Sequence, residues 1–134
     1  MEDRGVKSFE DLEVWRVVRQ GVNTVYALSR EPGLARDFGL CGQGQRAAVS
    51  ILSNVAEGFE RLHLEEKLQF YNIARGSSAE VHSLLYVVED NYPSLAARSA
   101  ALRQEVSRTG KPITGLIQST QQRKQSHKHP YPNS

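Results

Sequence analysis

The segment from Leu64 to Asn91 constrains the fold most, because its apolar residues recur at helical spacing throughout. Steps of three and four residues place one stripe of side chains on a single side of an α-helix. That stripe consists of Leu64, Leu68, Tyr71, Ala74, Ser78, Val81, Leu85, Val88 and Tyr92. Pro93 follows, and proline cannot continue a helical hydrogen-bond ladder. The pattern predicts one long helix that ends near Asn91 and buries one whole side.

Two earlier segments show the same periodicity. Ser8 and Asp11 approximate a capping box, which predicts a first helix from about Phe9 to Ser29. Glu31-Pro32-Gly33 ends it, and the chain as far as Gly42 is expected to be a loop. A second helix is predicted from Gln43 to about Phe59. The two stripes are Leu12, Trp15, Val18, Val22, Val25 and Leu28 in the first helix and Ala48, Ile51, Leu52, Val55 and Phe59 in the second.

A last helix is predicted from Ser94 onwards. Its stripe is Leu95, Leu102, Val106, Ile113, Leu116 and Thr120. Proline inside a helix costs on the order of 3 kcal/mol, so a kink or a break is expected between Thr109 and Pro112. Beyond about Arg123 polar residues replace every large aliphatic one.

Together these segments predict the fold class. The chain has 134 residues, which is enough for one domain but short for two. No segment shows the sustained alternation of a strand, so we expect an all-α, antiparallel, up-down-up-down four-helix bundle. The bundle domain is expected to span residues 1–122, and residues 123–134 to form a disordered basic tail.

The long third helix carries more apolar surface than one bundle contact requires. A second row of residues at helical spacing, here called the second stripe, consists of Phe70, Ile73, Ser77, Glu80, Leu84, Val87 and Asn91. The first helix is also wide, since Val14, Val17 and Tyr26 extend its main stripe. Either a broad internal core or a second subunit can cover such surface, and we favour a homo-oligomer.

Charge is distributed unevenly along the chain. Residues 1–105 hold twelve Lys/Arg and fifteen Asp/Glu, whereas residues 106–134 hold five Lys/Arg and no acidic residue. A basic end of this kind fits either a nucleic-acid contact or a solvated surface. The N-terminus is acidic where a signal peptide is basic, and no apolar run is long enough to span a membrane. With one cysteine, which excludes an internal disulfide, we expect a cytoplasmic protein without membrane contact.

Motifs for catalysis, cofactors or metals are weak. The segment 42–47 fits the dinucleotide pattern G-x-G-x-x-A, but no strand precedes it. Glu60 and His63 have the spacing of a di-iron pair, yet such sites need a second pair and two more glutamates. His127 and His129 lack a fixed third ligand, while neither Cys41 nor His82 has an evident catalytic partner. We therefore predict no enzyme activity, no catalytic residue, no cofactor and no metal.

A polar constellation on the middle helices is more informative. Gln43, Arg46, Ser50, Asn54 and Glu57 fall within roughly 80° on the second helix, and Arg75, Ser77 and Glu80 on the third can face them. One interpretation is a hydrogen-bonded network that fixes helix register or a subunit contact. The other is an active site that uses Glu57, Glu80 and Arg46 but has no evident nucleophile. We favour the structural network of Gln43, Arg46, Ser50, Asn54, Glu57, Ser77 and Glu80.

These residues also resemble a known family: bacterial four-helix bundle proteins encoded within 23S rRNA intervening sequences, with the accessory variability determinant of diversity-generating retroelements as a relative. The resemblance runs from Phe9 to about Thr120. It is carried by Phe9-Glu10-Asp11-Leu12 with Trp15, by Leu40, Gln43, Arg46, Ala47, Ser50-Ile51, Asn54 and Ala56-Glu57-Gly58, and by Phe70, Ile73-Ala74, Gly76-Ser77 and Glu80. Gly44 and Pro112 depart from the family pattern.

The resemblance implies a homopentamer without known catalytic activity and with a poorly defined role. Its retroelement relatives suggest nucleic-acid binding through basic surface. We therefore expect a weak, sequence-tolerant scaffold for RNA or DNA, or alternatively a module that docks a partner protein. The candidate phosphate contacts are Arg46, Arg61, Lys67, Arg75, Arg108, Lys111, Arg123, Lys124 and Lys128.

Overall fold

The computed structural model describes residues 6–128, and this part of the chain is helical without any strand. Its helices are α1 (Glu13–Ser29), α2 (Pro32–Ala35), α3 (Phe38–Glu60), α4 (Leu64–Asn91) and α5 (Ala96–Lys128), with 3₁₀ turns at Phe9–Asp11 and Pro93–Leu95. The predicted all-α class is confirmed. Residues 1–5 and 129–134, with His129 of the expected tail, lie outside the described part.

The capping box forms, but around a 3₁₀ turn and not at the start of α1. Asp11 accepts hydrogen bonds from the backbone N–H groups of Lys7 and Ser8, at 3.1 and 3.4 Å. Leu12 is extended, with ψ near 126°, so the first long helix begins at Glu13. The predicted start at Phe9 is wrong by one turn, because Leu12 leaves the helical conformation to bury its side chain.

The loop expected between Ser29 and Gly42 is largely helical. Pro32 begins the short α2, a position that suits proline because its missing N–H would be unpaired there anyway. Asp37 is the N-cap of α3 and accepts a hydrogen bond from the Leu40 N–H at 3.2 Å. Tyr92 donates a hydrogen bond to the other oxygen of Asp37 at 2.8 Å. Because Asp37 caps it, α3 begins at Phe38, before the predicted start at Gln43.

The core lies between four long helices of the described chain. α1 packs against α3 and α5, and α4 packs against the same two helices. The predicted stripes supply the buried side chains, and Val55, Ala74 and Ile113 are completely buried. Ser99 is buried among them because its hydroxyl donates to the Leu85 carbonyl at 2.7 Å. Periodicity thus identified the faces that meet.

α5 passes through Pro112 as one helix, so the expected break is absent there. Ile113 and Ile117 are buried on the far side of the proline and anchor that half of the helix to the core. Pro112 and Arg108 are exposed, so the Arg108 carbonyl loses its helical hydrogen bond outside the buried face of α5. Ile117 replaces the predicted Leu116 as the fully buried residue.

The last helix extends past residue 122, where the bundle domain was expected to end. It continues to Lys128, so residues 123–128 of the expected tail are helical. None of the helices described is long and apolar enough to cross a membrane.

Candidate functional site

A chain of hydrogen bonds connects α3 to α4. The Ser50 and Ser77 hydroxyls lie 2.8 Å apart, and the Asn54 amide donates to the Ser50 carbonyl at 2.8 Å and to its hydroxyl at 3.0 Å. Nearer the start of α3, Gln43 donates to the Glu80 carboxylate at 3.4 Å. Five of the seven residues of the predicted network therefore form hydrogen bonds with one another, in two separate groups. Short side chains at Ser50 and Ser77 let the two helices approach closely enough for this contact.

The other two predicted members have different neighbours. Glu57 pairs with Arg61 at 3.6 Å, one turn along the chain. The Arg46 guanidinium lies over Gly42, since a Cβ added to that glycine would be 3.1 Å from it. Glu57, Glu80 and Arg46, which the catalytic interpretation required together, each contact a different partner.

The second stripe remains open along the outer side of α4. Ile73 is 50% exposed and Val87 is 41% exposed, while Phe70, Ser77 and Leu84 are half-buried. Glu80 and Asn91 of the stripe are also exposed. Ser77 and Glu80 belong both to the stripe and to the α3 contact. The hydrogen-bonded junction is therefore the inner edge of a partly apolar surface.

Arg61 lies at one end of this surface. Its guanidinium stacks over the Phe70 ring, 4.6 Å from the ring centroid, and also contacts Glu57. These two contacts hold the cation against the protein while leaving about half of its side chain exposed.

Lys67 corrects the predicted set of phosphate contacts. It is only 8% exposed, and its ammonium donates to the carbonyls of Gly58 and Phe59 at 3.2 and 2.6 Å. The last carbonyls of a helix have no partner within the helix, so Lys67 caps the C-terminus of α3. It is not a surface cation. In the sequence, only the position of Lys67 shortly after Gly58, near the predicted end of the second helix, pointed to this role.

The other candidate cations are distributed over separate surfaces. Arg75 is exposed and lines an open groove between α4 and α5 with His82 and Ser107. Arg108 and Lys111 are exposed on α5. Lys111 lies opposite the core stripe, whereas Arg108 lies on the flank of α5 that faces α1. Farther along α5, Arg123 and Lys124 are exposed, and Lys124 contacts Glu65 at 3.6 Å. The side chain of Lys128 lies outside the described residues.

Sequence reasoning missed an ion pair between α4 and α5. Arg103 donates two hydrogen bonds to Glu89, at 2.7 and 3.2 Å, and lies 4.1 Å above the Tyr86 ring. The hydrogen bonds from Arg103 lower the pKa of the Glu89 carboxyl below its ordinary value. The hydrogen bond that Tyr92 donates to Asp37 shifts a pKa in the opposite direction, since it raises the pKa of the Tyr92 hydroxyl. Both contacts join residues far apart in the chain, so no local spacing predicted them.

Among the described residues, no group of three or more His, Cys, Asp or Glu side chains could hold a metal ion. The carboxylate of Glu60 accepts a hydrogen bond from the Phe9 N–H at 3.3 Å, while His63 is exposed at the N-cap of α4. The Cys41 thiol donates to the Leu34 carbonyl at 3.2 Å.

The geometry defines an all-helical protein whose most organised surface is a hydrogen-bonded helix junction beside an exposed apolar stripe. The family model described as 23S rRNA-intervening sequence protein matches residues 10–115. The chain belongs to this family. Comparison with curated proteins gives no match.

Proposed function

We propose that this protein is a non-enzymatic antiparallel up-down-up-down four-helix bundle that assembles into a ring-like homopentamer through the second stripe of α4. The exposure of Ile73 and Val87 on that stripe carries the proposal. The resemblance of the sequence to pentameric bundle proteins supplies the number of subunits.

The chemistry of the stripe suits contact with another helix. Ile73 and Val87 are β-branched and have little side-chain freedom to lose when they are covered. Glu80 lies between them, and burial of a carboxylate is costly unless it is hydrogen-bonded. Gln43 already donates to that carboxylate. A subunit that covers Ile73 and Val87 would therefore bury a partly satisfied polar group.

Light scattering tests the assembly. The wild-type chain has a mass of 15.0 kDa, and light scattering should detect a single species of about five times that mass. Ile73→Glu and Val87→Glu should shift the mass toward the monomer, because each would bury an unpaired charge. Leu62→Glu is the matched control, since Leu62 is 89% exposed in the link before α4 and should leave the mass unchanged. A monomeric wild-type protein would refute the proposal.

A second function, weak binding of RNA or DNA, is favoured by the charge of α5. Arg108 and Lys111 are exposed on α5, and no acidic residue follows Glu105. Repetition of this basic surface in each subunit of a ring would multiply a weak phosphate contact. Aromatic residues are not interleaved with these cations, so we expect little sequence preference.

Salt dependence tests this second function. A labelled single strand should bind at low salt, and the logarithm of its affinity should fall linearly with the logarithm of salt concentration. Arg108→Gln with Lys111→Gln should weaken binding and reduce the slope by about 0.7 per lost contact. Arg16→Gln with Arg30→Gln, two exposed arginines elsewhere, is the charge-matched control. If nothing binds but a defined protein co-purifies after a high-salt wash, the alternative of a partner-docking module is favoured.

A further inference from the structure

A cavity of about 140 Å³ lies between α1 and α5 and extends into the centre of the molecule. Side chains from all four long helices form its walls, and most are aliphatic. Its apolar lining includes Val18, Val22, Val25, Ile51, Val81 and Val106. Gln20, Glu105 and Arg108 lie around the same cavity and are exposed, so they mark its opening to solvent.

Small residues account for the empty volume. Gly21 of α1 lines the cavity, and a Cβ built on it would have no atom within 4 Å. Ala48 of α3 lines the cavity and is 2% exposed, so a short side chain stands at a core position there. The surrounding valines are β-branched and have few alternative rotamers with which to fill the gap. The cavity is therefore built into the packing of α1, α3 and α5.

Water is poorly suited to the inner part of this cavity, because most of the walls are aliphatic. A buried water molecule needs two to four polar partners, and enclosed apolar cavities of about 150 Å³ stay dry and bind benzene or xenon. The inner end of this cavity has similar walls, although its other end opens to solvent. Every buried side-chain nitrogen or oxygen in the described residues already has a hydrogen-bond partner. Thr109, the buried polar residue of the lining, donates its hydroxyl proton to the Val106 carbonyl at 2.7 Å. The inner walls can therefore recognise a ligand by its shape and by apolar contact.

We propose that this cavity is a binding site for a compact, uncharged apolar molecule about the size of a benzene ring, which enters between α1 and α5. The opening carries charges of both signs, Glu105 and Arg108, so it gives no strong preference for an anionic or a cationic ligand. A small polar substituent on the ligand would remain in water beside Gln20. The site lies within one chain and does not depend on the proposed assembly.

Fluorobenzene observed by ¹⁹F NMR tests the site in the full-length protein. It should bind saturably to the wild-type protein and raise its melting temperature in a concentration-dependent way. Gly21→Leu should reduce the affinity at least tenfold, because the new side chain occupies the cavity. Gly115→Leu is the matched control: Gly115 also has no neighbour within 4 Å but lies on the exposed side of α5, so binding should be unchanged.

Circular dichroism establishes that each variant is folded. If Gly21→Leu fails to fold, Ala48→Val fills part of the same volume from α3 and should weaken fluorobenzene binding in the same direction. Absence of saturable binding to the folded wild-type protein would overturn the proposal. Equal affinity in the wild-type protein and in a folded cavity-filling variant would overturn it too.

Discussion

The ammonium of Lys67, in the first turns of α4, lies 2.6 Å from the carbonyl oxygen of Phe59 at the end of α3. It also lies 5.4 Å from the centroid of the Phe59 ring. A positive charge at a helix C-terminus interacts favourably with the partial negative charge of the unpaired carbonyls. One side chain thereby holds the start of α4 against the end of α3.

Replacement of Lys67 should therefore destabilise the fold. Lys67→Met keeps the apolar stem of the side chain but removes the ammonium that donates to the Gly58 and Phe59 carbonyls. The substitution should lower the free energy of unfolding by about 2 kcal/mol. Urea denaturation measures the change. Lys111→Met, at an exposed lysine, should change it by less than about 0.5 kcal/mol. Equal effects of the two substitutions would contradict the capping role.

Gly58 should not tolerate a side chain. A Cβ at this position would lie 2.6 and 2.8 Å from two ring carbons of Tyr71, which is only 2% exposed and cannot move aside freely. Gly58→Ala should therefore cost about 1 to 3 kcal/mol, despite the better helix propensity of alanine. Gly115→Ala has open space and should stabilise the protein by about 0.5 to 1 kcal/mol. Thermal denaturation of both variants tests this, and a stabilising Gly58→Ala would refute the close contact.

The Glu89–Arg103 pair should make stability depend on acid pH. Arg103 lowers the pKa of Glu89 in the folded protein. The stabilisation that the pair contributes is therefore fully present above pH 4.5, the ordinary pKa of this carboxyl, and is lost as pH falls through the lowered pKa. The difference in melting temperature between the wild-type protein and Glu89→Gln should shrink as pH falls below that value. Glu105→Gln, at an exposed carboxylate, serves as the control. A difference that does not vary with pH would contradict the pairing.

Periodicity predicted the helices well where burial alone determines position. Val55 and Ala74 lie at the centres of their predicted stripes and are completely buried, because no other arrangement removes those faces from water. The errors occur where a tertiary contact changes the local preference. Asp37 caps α3 and is held by Tyr92 from the far end of α4, and Pro112 is kept within α5 by the burial of Ile113.

The site was predictable in the same limited way. The helical wheel identified Gln43, Ser50 and Asn54 as one polar face, since their spacing places them there. It could not distinguish Arg46 and Glu57, which share that face but contact Gly42 and Arg61 instead. The burial of Lys67 depends on how α3 and α4 meet, and charge alone suggests the opposite position.

The Ser50–Ser77 contact should be energetically coupled. Ser77→Ala removes one hydroxyl of a pair 2.8 Å apart and should cost about 0.5 to 1.5 kcal/mol. Ser50→Ala should cost more, because the Ser50 hydroxyl also accepts a hydrogen bond from Asn54 at 3.0 Å. The double variant should cost less than the sum, by about 0.5 kcal/mol or more, since each single change already breaks the shared bond. Urea denaturation of the four proteins gives the coupling energy. Strict additivity would mean that the hydroxyls fill space between α3 and α4 without joining the two helices.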